Sequence, residues 1–390
     1  MTDWKECKLG DVISSNNRSV GRDYKFNVIK YLDTGSITCG KIDGYQELEL
    51  IDAPSRAKRL VKHDDIVYST VRPIQRHYGF VAQPEENLVV STGFVVLETN
   101  KNLADPKFIY FYLSADDIVE ELDIIAEAST STYPSLKPSD IENLDIILPS
   151  LPEQKAIAGV LSSLDDKIDL LHRQNKTLES IAETLFRQWF VEEAKEEWED
   201  GCLEDIADIN PTYQLKKGNI STYLEMGNVS SSTFNPEGWY KREFTSGMKF
   251  QNGDTLLARI TPCLENGKTC FVTFLDNKEI GWGSTEYIVI RMKEQFHPYI
   301  SYILAKDKDF RDFAISSMSG SSGRQRAQAN VIKEYEMKMP PMKIIEKLNY
   351  QLVEIFPKLK NNANQISTLE KLRDTLLPKL MSGELKVKGN

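Results

Sequence analysis

The sequence predicts an α+β protein in which two similar mixed α/β domains are separated by two long helices. The helices are expected to pair as an antiparallel coiled coil within a pseudo-two-fold internal repeat. Three observations support this fold class: a repeat along the chain, β-rich runs in each copy, and a heptad pattern after each copy. The repeat aligns four segments in the same order, namely 4–12 with 198–206, 65–73 with 254–262, 91–96 with 284–289, and 177–185 with 368–376.

Each copy begins with a globular domain. The pattern places the first domain at 1–149 and the second at 198–340. Alternating and apolar runs predict strands over segments that include 94–97, 270–274 and 287–292. The apolar spacing of 106–124 and 298–313 predicts a helix late in each domain.

A long helix follows each domain, over 150–197 and then over 341–385, with 386–390 as a tail. Proline and an acidic residue within 149–154 are typical of a helix start. Apolar residues then follow the alternating three- and four-residue spacing of a coiled-coil seam. The predicted seam consists of Leu161, Leu164, Ile168, Leu171, Asn175, Leu178, Leu352, Ile355, Leu359, Asn362, Ile366 and Leu369.

Charge and two polar seam residues predict how the helices pair. Residues 150–199 contain 6 basic and 11 acidic residues, whereas 341–390 contain 9 basic and 5 acidic ones, which favours mutual pairing. Asn175 and Asn362 replace apolar residues near mid-helix, and we expect them to meet and fix the register. Pro357 lies inside the second helix and is expected to kink or interrupt it.

Composition excludes several classes of protein. The net charge is −10, with 41% hydrophobic and 27% charged residues, as in ordinary globular proteins. The apolar runs are too short for a membrane span, and residues 1–6 do not resemble a signal peptide. Five scattered cysteines predict reduced thiols and a cytoplasmic location. A total charge of −10 disfavours a nucleic-acid partner unless basic residues cluster locally.

The motifs of common enzymes are missing from the sequence. Its histidines are scattered, its cysteines form no C-x-x-C pair, and neither a complete phosphate loop nor a nucleophile elbow occurs. The sequence therefore predicts a chain without catalytic residues, metal or cofactor of its own.

Basic residues do cluster locally in each domain. Lys, Arg and hydroxyl groups bind phosphates, whereas Arg, Asn and Gln side chains read base edges. Residues 324–326 lie in a Gly/Ser-rich segment that is suited to base readout. The DNA-binding candidates of the first domain are Arg56, Lys58, Arg59, Thr70, Arg72, Arg76, His77, Thr132 and Tyr133. Those of the second are Lys241, Lys249, Arg259, Thr261, Lys268, Ser321, Ser322, Arg324, Gln325 and Arg326.

This layout resembles the specificity (S) subunit of a Type I restriction-modification system over the whole chain. The segments that carry the resemblance are 148–154 (LPSLPEQ), 376–385 (LLPKLMSGEL), 140–144 (DIENL), and 254–262 with Gly267 and Lys268. The second copy departs from the pattern at 340–345 (PPMKII), where the Glu-Gln of the helix start is missing.

The resemblance implies separate roles for the domains, the helices and the partner subunits. Each domain would be a target recognition domain that reads one half of a bipartite double-stranded DNA site, and the helices would set the gap between the halves. Two modification (methyltransferase) subunits carrying S-adenosylmethionine would dock on the helices, and restriction/translocase subunits would join them. Two other functions stay open: a stand-alone DNA methyltransferase or nuclease, and a coiled-coil scaffold without a role in DNA binding.

Overall fold

The computed structural model describes residues 4–129, 134–321 and 323–387. The chain forms two compact units: unit 1 comprises 1–168 and 368–390, and unit 2 comprises 169–367. Each unit contains one globular domain together with part of both long helices. The helices are therefore shared between the units rather than forming a separate module.

Short strands make up most of the globular domain of unit 1. Its described strands are β1 (Lys5–Lys8), β2 (Ile13–Ser15), β3 (Val28–Leu32), β4 (Ile37–Thr38), β5 (Lys41–Ile42), β6 (Gln46–Glu49), β7 (Ala57–Leu60), β8 (Asp65–Ser69), β9 (Tyr78–Val81), β10 (Leu88–Ser91), β11 (Phe94–Thr99) and β12 (Asp145–Leu148). They form two four-stranded sheets, ordered β6-β3-β10-β7 and β2-β11-β8-β9, and the two-stranded pairs β1-β12 and β4-β5.

The helices of unit 1 follow its sheets. They are α1 (Pro106–Ser114), α2 (Asp116–Glu127), α3 (Pro138–Glu142) and the first part of α4 (Leu151–Arg187). The single helix predicted over 106–124 is thus two helices. The break lies at Ala115, whose extended backbone serves as the C-cap of α1 and the N-cap of α2. Asp105 caps α1 by accepting the backbone N–H groups of Lys107 and Phe108.

Unit 2 repeats this arrangement strand by strand. Its described strands are β13 (Asp200–Cys202), β14 (Ala207–Ile209), β15 (Ile220–Leu224), β16 (Tyr240–Glu243), β17 (Met248–Phe250), β18 (Thr255–Ala258), β19 (Thr269–Phe271), β20 (Gly281–Gly283), β21 (Tyr287–Met292) and β22 (Glu336–Lys338). Sheet orders are β16-β15-β20-β17, β14-β21-β18-β19 and β13-β22. These are the orders of unit 1 once the β4-β5 hairpin is set aside, so the predicted internal repeat is confirmed.

In the described part of the chain, unit 2 contains the second part of α4 and five further helices, the last of which continues into unit 1. They are α5 (Leu203–Ile206), α6 (Ile300–Lys306), α7 (Lys308–Ser316), α8 (Ala329–Lys333) and α9 (Met342–Met381). The helix predicted over 298–313 is again two helices. They are divided at Asp307, whose side chain accepts the backbone N–H groups of Asp309 and Phe310 and so caps α7.

The two long helices are shorter than predicted. Helix α4 ends at Arg187 and is followed by a π-helical turn over Gln188–Glu192, so the expected helix over 193–197 is absent. Helix α9 runs from Met342 to Met381 without interruption. Pro357 therefore does not break the helix, contrary to one of the two expected outcomes.

The predicted pairing of the helices is observed inside unit 2. The Asn362 side-chain amide donates to Oδ1 of Asn175 at 2.9 Å, and both residues are buried. Fourteen residues after Asn175, in the π-helical turn that follows α4, the ring centroid of Trp189 lies 3.8 Å from the ammonium group of Lys347. From Asn175 to Trp189 the residue number rises, whereas from Asn362 to Lys347 on α9 it falls, so the two segments run antiparallel here. The expectation that Asn175 and Asn362 meet is confirmed.

The predicted seam is the buried side of both helices. Leu164, Leu178 and Leu369 are half-buried, and the other predicted seam residues are buried. In unit 2 the seam joins the domain core, where Leu348, Leu352 and Leu359 pack in one cluster with Phe186. In unit 1, Ile157, Leu161 and Leu380 pack with the core residues of α1 and α2. Burial against the domains fixes the helices as part of each hydrophobic core.

Candidate nucleic-acid interface

Three separate segments of unit 1 meet at the end of strand β8. The backbone N–H of Thr70 donates to the carbonyl of Gly93 at 2.8 Å, and the Thr70 carbonyl accepts from Leu136 at 2.7 Å. Arg72 donates from its backbone to Pro134 at 3.4 Å. We call this frame the strand-end loop cluster; it consists of 69–73, 91–93 and 134–136 in unit 1.

Unit 2 builds the same loop cluster from 258–262, 284–286 and 325–327. Arg259 donates its backbone N–H to Glu286 at 2.9 Å, and its carbonyl accepts from Ala327 at 2.8 Å. The backbone of Thr261 donates to Gln325 at 3.0 Å. A serine hydroxyl supports the middle turn in both units: Ser91 accepts from the Gly93 N–H and Ser284 from the Glu286 N–H, each at 3.1 Å.

Several predicted basic residues of unit 1 lie at or beside its loop cluster. The Arg56 carbonyl accepts from Thr92 at 2.8 Å, which places the exposed Arg56 next to the middle turn. Arg72 is exposed, has a left-handed backbone (φ 48°), and its side chain makes no hydrogen bond or ion pair with any residue that the structure describes. Loops that present an unpaired guanidinium to solvent are suited to binding phosphate or a base edge.

Other candidates of unit 1 are already engaged. Arg76 forms an ion pair with Asp116 at 2.8 Å, and Nδ1 of His77 lies 2.6 Å from the carbonyl of Ile37. The hydroxyl of Thr70 donates to the Gly93 carbonyl at 2.9 Å, so it holds the loop cluster together.

Two neighbouring candidates on β7 differ in exposure, and two more fall outside the structure. Lys58 is exposed, whereas Arg59 is half-buried, and burial lowers the pKa of its guanidinium. Thr132 and Tyr133 lie outside the described residues.

The lysine candidates of unit 2 are committed to partners within the unit. Lys241 pairs with Asp276 at 2.9 Å and Glu279 at 2.8 Å. The ammonium group of Lys249 donates to the Tyr213 carbonyl at 3.1 Å. That of Lys268 donates to the carbonyls of Met226 and Gly227 at 3.2 Å. These three lysines hold loops in place, so the structure does not support them as free phosphate ligands.

The remaining candidates of unit 2 surround its loop cluster. Arg259 and Thr261 are half-buried, and Nε of Arg259 and the hydroxyl of Thr261 have no partner among the residues placed by the structure. Arg324 is exposed, while the Gln325 carbonyl binds Thr261. Ser321 is exposed and accepts the backbone N–H of Arg324 at 3.0 Å, and Ser322 lies outside the described residues.

Arg326 has a specific partner that the sequence reasoning missed. Its Nε donates to both carboxylate oxygens of Glu286 at 3.0 and 2.9 Å, and Nη2 donates to Oε1 at 2.8 Å. These bonds raise the pKa of Arg326. The repeat alignment of 91–96 with 284–289 pairs Glu286 with Gly93, so an acidic residue at a glycine position was the available signal.

A buried aspartate lies at the start of the strand that leads to each loop cluster: Asp65 is the first residue of β8, and Asp254 directly precedes β18. Asp65 is 1% exposed and pairs with Arg18, whereas Asp254 is fully buried and binds Arg291 and the Tyr213 hydroxyl. Burial raises the pKa of Asp254 to about 6, against the lowering effect of Arg291. The backbone N–H groups of Lys62 and Gln251 donate to these carboxylates, which closes the turn before each strand.

The part of the chain that the structure describes holds no group of three or more His, Cys, Asp or Glu side chains placed to bind a metal ion. None of the helices within 4–129, 134–321 and 323–387 is both long and apolar enough to cross a membrane.

A duplicated domain, each copy carrying the same loop cluster and half of a paired-helix scaffold, defines the class of protein. Residues 1–180 and 195–374 each match the model of the Type I restriction modification DNA specificity domain. The chain therefore belongs to this family of DNA specificity subunits.

Curated relatives agree with this assignment, and a solved structure shares the fold. The chain is 26% identical to the Type I restriction enzyme HindI specificity subunit of Haemophilus influenzae, covering 99% of this chain and 100% of that protein. It is 27% identical to the MjaIX specificity subunit of Methanocaldococcus jannaschii, covering 79% and 76% respectively. The crystal structure of a Type I restriction-modification S subunit from M. genitalium shares the fold, with a TM-score of 0.56, 15% identity, and coverage of 97% and 96%.

Proposed function

We propose that each unit of this specificity subunit reads one half of a bipartite double-stranded DNA target, and that the loop clusters supply the base contacts. The observation that supports this most directly is the loop cluster itself. Both units build it with the same three backbone hydrogen bonds, yet they place different side chains on it. A constant backbone frame with variable side chains is what recognition of two different half-sites requires.

The long helices set the distance between the half-sites and dock the methyltransferase subunits. Antiparallel pairing within unit 2 and the opposite net charges of the two helical segments support this role. In the proposed complex two modification subunits carry S-adenosylmethionine and methylate adenine, and restriction/translocase subunits complete the assembly in the cytoplasm. The chain itself contributes specificity and no catalytic step.

The charge of the chain fits a subunit that depends on its partners to hold DNA. The total is −10, and five of the predicted basic contacts, Arg76, Lys241, Lys249, Lys268 and Arg326, are used inside the units. Affinity for DNA rises with the number of phosphates neutralised by lysine and arginine. We therefore expect weak DNA binding by the isolated chain and strong, sequence-specific binding by the complex.

Co-expression with the cognate methyltransferase subunit, in a host without adenine methylation, tests this function. Sequencing that detects N6-methyladenine should reveal one motif made of two short specified halves around an unspecified gap. The purified chain alone should neither methylate nor cleave DNA. Methylation or cleavage by the chain alone would favour the stand-alone enzyme, and the absence of any motif from the co-expressed pair would favour the scaffold.

A further inference from the structure

The ion pair between Arg326 and Glu286 joins two segments of the unit 2 loop cluster. Arg326 is 41% exposed at its side chain and Glu286 is 22% exposed, so the pair lies at the surface and not in the core. The carboxylate takes the Nε side of the guanidinium, and Nη1 donates to the carbonyl of Arg324 at 3.2 Å.

These contacts leave part of the guanidinium available. An arginine side chain has five N–H groups. The Nε–H, one N–H on Nη2 and one on Nη1 are used by Glu286 and the Arg324 carbonyl. One N–H on each terminal nitrogen remains. Donors on the two terminal nitrogens of an arginine can bind the O6 and N7 acceptors of guanine in the major groove.

The backbone on both sides of the pair is also fixed. Arg326 exchanges backbone hydrogen bonds with Ser319 at 2.9 and 3.1 Å, and its carbonyl accepts from the Gln328 side chain at 2.9 Å. The Glu286 carbonyl accepts from Arg259, the residue whose own carbonyl binds Ala327. A side chain held at its backbone and at its Nε side loses little further freedom when it binds a ligand.

We propose that Arg326 reads a guanine in the half-site of unit 2 and that Glu286 is a positioning residue for it. The proposal rests on the proposed function and goes further by naming the base and the residue that orients its reader. Unit 1 has no equivalent pair, because Gly93 occupies the position of Glu286 and Ser135 occupies the bridge position of Arg326. The guanine contact therefore belongs to one half-site only.

Three variants separate this role from a purely structural one, each assembled into the complete methyltransferase complex. Arg326→Ala removes the reader, Arg326→Lys keeps the charge without the paired donors, and Glu286→Gln keeps the size but weakens the orienting bond. Lys338→Ala is the control, because Lys338 also joins two segments of unit 2 by an ion pair, at 2.7 Å to Asp200, and it lies on β22, outside the loop cluster and the long helices.

The readouts are the methylated motif and the binding of duplexes that differ at a single base pair. We expect Arg326→Ala and Arg326→Lys to lose discrimination at one guanine by roughly 5- to 150-fold, with the rest of the motif unchanged. Glu286→Gln should relax the same position to a smaller extent, and it should not weaken binding to non-specific DNA because it removes a negative charge. Lys338→Ala should keep the wild-type motif.

Two results would overturn the proposal. One is an Arg326→Lys complex with the wild-type motif, and the other is a Glu286→Gln complex whose guanine discrimination is unchanged. If Arg326→Ala prevents assembly, the lysine variant decides the matter. A wild-type complex that methylates no bipartite motif would instead contradict the proposed function, so the two failures are distinguishable.

Discussion

The two units share a backbone and differ in the chemistry placed on it. Apart from the β4-β5 hairpin, their described strands have the same order in every sheet, and the same three hydrogen bonds close both loop clusters. At equivalent positions, however, unit 1 presents Arg72 and Gly93 where unit 2 presents Thr261 and Glu286. Because the three hydrogen bonds that close both frames join backbone groups, other side chains on the frame can vary without loss of these bonds.

The buried aspartates show the same principle inside the units. Asp65 forms its ion pair with Arg18, which lies between β2 and β3, whereas Asp254 forms its ion pair with Arg291 on β21. In unit 1 the position of Arg291 is held by Glu98, which itself binds Arg18 at 2.8 Å. A buried carboxylate requires a paired charge, and the two units meet this requirement from different places in the chain.

The largest effect that we expect from the difference between the buried aspartates is on how the free energy of unfolding depends on pH. The pKa of Asp254 is about 6 in the folded chain, above the unfolded value of about 3.9, because the group is buried. Folding therefore binds a proton between these values, and the contribution of Asp254 to the free energy of unfolding rises as pH falls from about 6 to about 4. The rise is at most about 3 kcal/mol. Thermal unfolding of wild type and Asp254→Asn at pH 7 and pH 4.5 measures it.

Glu98 provides the opposite sign as a control. Lys62 and its other hydrogen-bond donors lower the pKa of Glu98 to about 2, so its stabilising contribution is present above about pH 4.5 and is lost as pH falls toward 2. Relative to Glu98→Gln, wild type should lose stability on acidification, whereas relative to Asp254→Asn it should gain. Equal pH profiles for wild type and Asp254→Asn would contradict the assignment for Asp254.

A smaller expected effect concerns the half-site of unit 1. Arg72 is exposed, and its side chain is unpaired with respect to the described residues, so Arg72→Ala should remove a base or phosphate contact without disturbing the loop cluster. We expect a loss of about 1–3 kcal/mol in binding to the cognate duplex if the contact is to a base. Competition binding by the assembled complex measures this loss, and the half-site of unit 2 should keep its specificity.

Lys107→Ala serves as the control for Arg72→Ala. It removes one exposed positive charge from unit 1 at the first turn of α1, outside the loop cluster. A similar loss of affinity in both variants would indicate a general effect of charge. An unchanged motif and affinity in Arg72→Ala would exclude Arg72 from the interface.

The sequence predicted the repeat, the fold class and the meeting of Asn175 with Asn362, because each depends on periodicity or alignment. Helix ends were less predictable. The α1–α2 and α6–α7 breaks depend on local caps at Ala115 and Asp307. The apolar pattern continues across both breaks, so it does not reveal them. Candidate residues were the least predictable. Composition identifies a basic side chain, whereas its availability depends on partners distant in sequence, such as Glu279 for Lys241.

The smallest expected effect concerns the helix pair, where the units again differ. Unit 2 pairs Asn175 with Asn362 in the seam, and unit 1 pairs Asp165 with Arg373 at 3.1 Å at the half-exposed edge. A buried polar seam pair fixes register at a cost in stability. Asn175→Leu alone should cost about 1 kcal/mol, because the Asn362 amide loses its acceptor at Asn175. The Asn175→Leu, Asn362→Leu double variant should recover that loss while its register loosens.

Spin labels measure the register of the double variant directly. Labels at the exposed positions Lys176 and Lys360, in a chain whose native cysteines are replaced, should give one narrow distance distribution for the wild-type seam. A heptad slip moves one helix by about 10 Å along the other, so a loosened register appears as a broadened or second population. The Asp165→Leu, Arg373→Leu variant is the control, and it should keep a single distance because its charges lie at the edge. An unchanged narrow distribution in the asparagine double variant would show that packing of Leu348, Leu352 and Phe186 in the core of unit 2 fixes the register without the Asn pair.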